Sequence, residues 1–365
     1  MRMTSFRFGT ALCLLPAMLW AETRLDTSAG PMVITEMIGG LEEPWALGFL
    51  PDGEVLITER AGRLLVISEG ARREVSGMPA VFAEGQGGLL DIMVPKDFAT
   101  TRELWFSFAA PVGSGAATAV GKGTLSADQS ELLNFQTLFV GDHMPGGRHF
   151  GSRLAEGADG SIFATTGDRG TGPEGLQAQD PLRAEGKVLH LNRDGTPATA
   201  LPGQRAGVYS LGHRNAQGLT VDPAGAVWLV EHGAQGGDEL NLVEKGNNYG
   251  WPIISYGENY GGGQIGVGSV QAGMEQPLHY WVPSIAPSGL MIFSGAAIPA
   301  WQGDFFTGSL NSDFISRLDP DQAFAEERIA TPETARVRDV VQAPDGSIWF
   351  LSVINGAAYR MAPAP

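Results

Sequence analysis

The sequence is short of three things, and each shortage removes a class of protein. Its 365 residues include a single cysteine, Cys13. No disulfide pair can therefore staple the chain, and a Cys-x-x-Cys-His haem-attachment motif is ruled out. Basic side chains are outnumbered, 24 Lys and Arg against 40 Asp and Glu, for a formal net charge of -16. That balance supplies no basic face for a phosphate backbone and argues against a nucleic-acid partner. Long apolar runs are scarce as well. The one run, from Phe8 to Trp20, is too short to span a bilayer, and nothing later is long and uncharged enough to try.

That run follows Arg2 and Arg7 and reaches Ala21 before the first acidic residue, Glu22, which is the layout of a secretory leader. We therefore expect residues 1–21 to be a signal peptide and residues 22–365 to form one domain. The mature protein is expected in the periplasm or secreted, without membrane insertion.

What is plentiful is glycine and proline, 51 and 23, beside 43% hydrophobic residues. A chain that is turn-rich yet apolar suits many short strands better than helices. One unit recurs along it: a short apolar strand, a turn with Asp and Gly, and a second apolar strand. It stands around Asp52-Gly53, Asp159-Gly160, Asp222-Pro223-Ala224-Gly225 and Asp345-Gly346. A weaker copy runs from Leu89 through Pro95-Lys96-Asp97 to Phe106, and a degenerate one from Ala300 to Leu310 with Gly303-Asp304 in its turn. Glycine supplies the positive φ that such hairpin turns need. Six hairpins predict an all-β, six-bladed β-propeller, with a pair of β-sandwiches as the competing architecture. Long inserts between the third, fourth and fifth repeats, above all residues 233–294, are expected as loops on one face, where chemistry usually sits.

Several inserts gather polar side chains. Gln86 lies in Gly85-Gln86-Gly87-Gly88, where glycines let a backbone approach a ligand. His149 stands one hairpin ahead of Asp168, so the two become neighbours if the hairpin returns to its starting face. A carboxylate beside an imidazole sets its tautomer and suits a general base; a loop histidine with a turn aspartate is the plainer reading. His213, Arg214, Asn215 and Gln217 precede an apolar strand, where burying them is costly unless something binds them. The stretch from Glu231 to Asn241, with Gly246-Asn247-Asn248-Tyr249-Gly250-Trp251-Pro252, is rich in oxygen ligands and favours a hard cation such as calcium over zinc. An ordered polar loop without metal stays open there. Arg336 and Arg338 are expected on one face of the last repeat's first strand, because side chains alternate with period two. In so acidic a chain they imply an anionic ligand or buried carboxylates.

Taken in order, these segments resemble the glucose/sorbosone dehydrogenase family of soluble quinoproteins, in particular its aldose sugar dehydrogenase branch. The specific matches are Leu211-Gly212-His213-Arg214-Asn215 with Gln217-Gly218, Asp238-Glu239-Leu240-Asn241-Leu242, residues 246–252, Ala286-Pro287-Ser288 and Arg336-Val337-Arg338-Asp339-Val340. The resemblance implies a six-bladed propeller that oxidises aldoses to lactones with pyrroloquinoline quinone (PQQ) and Ca2+. It implies His149 as the base, Asp168 as the carboxylate that orients it, and Arg214 beside the quinone. Gln86, Arg214, Asn215, Arg336 and Arg338 match cofactor-contacting positions. The carbonyls of Gly233 and Ala234 match those that hold the cofactor's calcium, and Glu239 and Tyr249 match a second, structural calcium site. The chain departs from the family at two places: Arg148, where Asp often precedes the base, and Asn311, where a cofactor-contacting lysine is usual. The implied partners are a small aldose and an external electron acceptor, with monomer and homodimer both open. A calcium-dependent propeller lactonase and a non-catalytic sugar- or protein-binding propeller are the alternatives.

Overall fold

The computed structural model describes residues 22–170 and 175–365. The expected leader, and Cys13 within it, lie outside the described residues. The strands form six antiparallel sheets. Their first strands are Pro44–Phe49, Leu89–Met93, Leu154–Glu156, Ala216–Val221, Pro287–Ile292 and Val337–Gln342. Each of these touches the first strand of the next blade, so together they surround a central axis. The six-bladed propeller expected from the hairpins is the observed fold, and the blades are numbered here from Pro44. Among the described residues the only α-helix is the single turn Phe98–Thr101.

The Asp-Gly repeats are the turns between the first and second strands of their blades, as in the pairing of Phe49 with Val55 and of Gln342 with Ile348. Two details differ from expectation. The degenerate fifth copy begins earlier, with Pro287–Ile292 pairing with Phe305–Ser309, so Gly303-Asp304 closes a longer connection. Residues 233–294 are also not all loop, because Asp238–Val243, His279–Trp281 and Pro287–Ile292 are strands within them.

The ring is closed by a part of the chain that carries no Asp-Gly signal. Glu22–Thr27 and Gly30–Ile38 add to the outside of blade 6, where Met32 pairs with Pro363 and Ile34 with Met361. Joining the two ends of the chain in one sheet covers the edge that Ala357–Pro363 would otherwise expose. Apolar side chains fill the space between blades. Trp105, Phe106, Trp301, Phe306 and Phe350 are fully buried, and each removes about 150–250 Å² from water. No helix among the described residues is long and apolar enough to cross a membrane.

The axis carries charge. Arg153, at the start of blade 3, places Nη1 3.1 Å from Asp91 of blade 2 and 2.9 Å from Asp339 of blade 6. Its Nε donates to the Gln217 carbonyl and its Nη2 to that of Arg338, at 2.7 and 2.8 Å. Asp339 also accepts from the Leu47 amide, and Asp91 from that of Leu154. One guanidinium and two carboxylates thus fix the inner strands of blades 1, 2, 3, 4 and 6 to one another.

Candidate active site

At one end of the axis lies a cavity of ≈ 880 Å³. Its wall is built from two kinds of position. Gln86, His149, Arg214, Asn215 and Arg336 stand just ahead of inner strands, while His232, Gly233 and Ala234 follow the second strand of blade 4. A propeller brings these ends together because every first strand runs the same way through the ring. Of the residues singled out above, Gln86, His149, Arg214, Asn215, Gly233, Ala234, Arg336 and Arg338 all line this one cavity.

His149 and Asp168 are neighbours through the hairpin between them, with Nδ1 2.6 Å from Oδ1. Both side chains are buried. Burial lowers the affinity of His149 for a proton, with the nearby Arg214 and Arg148 adding to it, and outweighs the pull of Asp168. For Asp168, burial acts upward but is overcome by the His149 hydrogen bond, the charges of His149 and Arg214 and the Gly170 amide, so its carboxyl is held below the usual range. The pair near neutrality is therefore a neutral imidazole on a carboxylate. Nδ1 carries the proton, and Nε2 keeps its lone pair with no protein partner among the described residues. His149 sits in left-handed backbone, φ 50°. Its loop is clamped on both sides: Gln86 accepts from the His149 amide at 2.8 Å and donates its own amide to the Gly147 carbonyl at 2.7 Å. Arg169 donates to the carbonyls of Arg148, Ala116 and Gly146. Gly167 is required here, because a Cβ would lie 2.0 Å from the His149 carbonyl oxygen.

The arginines share one property. Among the described residues no carboxylate lies within salt-bridge distance of Arg214, Arg336 or Arg338. Arg214 donates to the Gly233 carbonyl and reaches the Tyr260 hydroxyl at 3.3 Å, and its buried Nε has no partner. Arg336 donates to the Leu310 carbonyl at 2.8 Å, and Arg338 to Gln217 Oε1 at 2.9 Å. Desolvation, with Arg153, Arg336 and Arg60 close by, pushes the Arg338 guanidinium down to about 9. His232, whose Nε2 donates to the Pro287 carbonyl at 2.9 Å, is pushed to about 3 by burial and then by Arg214 and Arg338. Both shifts come first from desolvation and then from neighbouring positive charge. The two arginines of the last blade do share the cavity, though not through strand alternation. Arg336 precedes the strand with φ 52°, and a register shift between Val337 and Asp339 turns Arg338 inward.

A small cleft adjoins the cavity, bounded by Glu231, Glu239 and Tyr249 and sharing Arg214, His232 and Gly233 with it. Glu239 faces buried Glu231, and desolvation plus that like charge push it up to about 8. The Tyr249 phenol is committed elsewhere, donating to the Leu242 carbonyl at 2.6 Å and accepting from the Glu244 amide at 2.8 Å. Any cation contact from Tyr249 thus falls to its carbonyl. Among the described residues no cluster of three or more His, Cys, Asp or Glu is placed to hold a metal. Asn311 lies at the cavity wall, exposed, donating to the Ser284 carbonyl at 3.2 Å.

Reading along the chain missed His232 and Tyr260 as cavity residues and gave Trp251 no role, although its indole N–H donates to Asp168 Oδ2 at 2.7 Å. His232 could have been found from its place between Glu231 and Gly233. The Trp251 contact spans 83 residues, and nothing local signals it.

Comparison with known proteins places the chain in a family. A family model described as glucose/sorbosone dehydrogenase matches residues 41–360. An aldose sugar dehydrogenase of Escherichia coli is 39% identical over 382 aligned residues, covering 100% of both chains. The solved structure of the soluble aldose sugar dehydrogenase from Escherichia coli, in its apo form, superposes with a TM-score of 0.85 at 37% identity, covering 91% of this chain and 100% of that one. A PQQ-bound aldose sugar dehydrogenase from Streptomyces coelicolor superposes at 0.74 with 27% identity, over 91% of this chain and 98% of the other.

Proposed function

The chain belongs to the glucose/sorbosone dehydrogenase family, and on that premise we propose that it is an exported aldose dehydrogenase that oxidises sugars at the anomeric carbon to lactones, using PQQ and Ca2+. The observation that carries the proposal is the meeting, in one cavity, of a base dyad and three arginines without carboxylates. A hydrolase would use the dyad but leave Arg214, Arg336 and Arg338 with no anion to bind.

The residues present fit the quinone. Its carboxylates answer Arg336 and Arg338, whose guanidinium groups meet only neutral acceptors, and Arg214 brings an orphaned Nε. The carbonyls of Gly233 and Ala234 are hard, neutral oxygen donors of the kind calcium accepts, so at that site the negative charge comes from the ligand. Glu239, raised by desolvation and by the like charge of Glu231, and the Tyr249 carbonyl suit a second calcium. When bound, the quinone supplies an electrophilic hydride acceptor that calcium polarises.

The protein's own work is positional and electrostatic. Oxidation of the sugar removes a hydride from C1 and a proton from its hydroxyl. His149 Nε2 takes that proton, and the Asp168 carboxylate at 2.6 Å stabilises the imidazolium as it forms. Asn215, Gln217 and His232 fix the surrounding amides: Asn215 Oδ1 accepts from the Gly151 and Gln217 donors at 3.2 Å. Arg214 supplies positive charge where electron density accumulates.

An absorption titration of the purified protein with PQQ, with and without calcium, tests the cofactor. Dye-coupled aldose oxidation tests the reaction. His149→Ala is expected to lower turnover by about 10²- to 10⁴-fold while PQQ affinity holds. Unchanged turnover in that variant removes His149 from the chemistry, and absent PQQ binding overturns the proposal.

A further inference from the structure

We propose that Trp251 is a positioning residue that ties the two halves of the site together, its indole N–H orienting Asp168 and its ring face carrying the Arg214 guanidinium. The inference rests, for its catalytic consequence, on the dehydrogenase reading above. Three observations carry it. Trp251 Nε1 donates to Asp168 Oδ2 at 2.7 Å, while Oδ1 serves His149 Nδ1 at 2.6 Å and the Gly170 amide at 2.8 Å. The Arg214 guanidinium carbon lies 5.1 Å from the centre of the Trp251 ring. The Trp251 main chain is itself pinned, its amide to the Gly212 carbonyl at 2.9 Å and its carbonyl to Gln179 at 2.7 Å.

Gly175 shows that the space for the indole contact is specific. A Cβ there would lie 2.5 Å from Trp251 Nε1 and 2.6 Å from Asp168 Oδ2, and the residue has φ 79°. Any side chain at 175 would drive the donor and the carboxylate apart.

The physical role follows from the geometry. A donor on Oδ2 stops the carboxylate from turning about Cβ–Cγ, which keeps Oδ1 aligned with Nδ1. It also takes up part of the carboxylate's charge. Without it Asp168 becomes a stronger partner for protonated His149, so the imidazole binds its proton more tightly and less free base remains at a given pH. The other charged or titratable groups facing the dyad, Arg214, Arg148, Arg169 and His232, stay in place. The ring face acts separately, holding a cation beside the acceptor by cation–π attraction.

Substitutions separate the two roles. Trp251→Phe keeps a ring and removes the donor; Trp251→Leu removes both; Gly175→Ala keeps both residues and wedges them apart. In the quinone-free protein, the His149 imidazole followed by NMR is expected to titrate about half a pH unit higher in Trp251→Phe and in Gly175→Ala. In the loaded enzyme the acid limb of kcat/KM should move up with it, and kcat should fall about 10-fold with KM unchanged. Trp251→Leu should in addition weaken PQQ binding by about 3- to 10-fold. An unmoved His149 titration in a Trp251→Phe protein that melts like wild type overturns the inference. A moved titration together with wild-type protein that oxidises no aldose in the presence of PQQ and calcium overturns the function reading alone.

Discussion

Two sets of arginines meet at the Trp45 ring, and they are balanced in opposite ways. Arg153 belongs to the axis: its guanidinium carbon lies 4.3 Å from that ring, and Asp91 and Asp339 sit within 3.1 Å of its Nη1. Arg338, 5.5 Å from the same ring, belongs to the cavity and among the described residues donates to Gln217 and Ser288. The axis has one cation for two carboxylates, and desolvation with their mutual repulsion raises Asp91 to about 6. In the cavity Arg60 is paired with Glu43, whereas among the described residues Arg214, Arg336 and Arg338 have no carboxylate within salt-bridge distance, and the Arg338 guanidinium and the His232 imidazole are pushed down instead. A fold that needed Arg338 for its own stability would have placed a carboxylate within salt-bridge distance of it, as it did for Arg153 against the same ring. The difference teaches that charge on the axis is spent inside the ring, while among the described residues the guanidinium groups of Arg214, Arg336 and Arg338 have no carboxylate to pair with.

The largest effect expected from breaking this contrast is at the axis. Arg153→Met leaves two buried carboxylates facing each other and should cost about 3–5 kcal/mol of stability, seen as a lowered melting temperature. Adding Asp91→Asn and Asp339→Asn should restore part of the loss, because the uncompensated charges go with them. A single variant that melts like wild type would erase the distinction. Arg338→Met is expected to behave in the opposite sense. Its carbonyl, which accepts from Arg153 Nη2 at 2.8 Å and Ser288 Oγ at 2.6 Å, stays in place. The quinone-free protein should therefore melt as wild type or slightly higher, while PQQ affinity falls about 10- to 100-fold, the scale of one charged hydrogen bond. Calorimetry and the absorption titration on the same samples measure both.

The same contrast explains how far the sequence could be read. The propeller was legible because its turns repeat a local signature, Asp-Gly between apolar strands, that recurs whatever the rest of a blade contains. The closing strands were not, because Gly30–Ile38 pairs with Ala357–Pro363, and only the finished ring brings the two ends together. His149 and Asp168 could be joined in advance since a single hairpin returns one to the other. Arg336 and Arg338 were visible as unexplained positive charge in an acidic chain, although Arg336 lies ahead of the strand and a bulge, not alternation, turns Arg338 inward. The axial Asp91 and Arg153 gave no such sign. A charged residue within an apolar strand looks like a solvent-facing position until its partners arrive from other blades. Trp251 was hidden for the same reason, its acceptor lying 83 residues away.

The smallest effect sharpens the comparison from the other side, by adding charge to the cavity instead of removing it. Asn311 is exposed on the cavity wall and spends its amide on the Ser284 carbonyl at 3.2 Å. Asn311→Lys places a solvated ammonium there, where it is screened and held loosely, so PQQ should bind about 2- to 5-fold tighter, within the range of an exposed ion pair. The gain should disappear as salt shortens the screening length, while the contribution of half-buried Arg338 persists. Melting of the quinone-free protein should not rise, since the amide that the lysine replaces bonds a neutral carbonyl. If the lysine instead stabilised the empty protein and left PQQ binding unmoved at low salt, the cavity would already hold compensating negative charge, and the separation between ring-serving and ligand-serving arginines would fail at the wall where Asn311 stands.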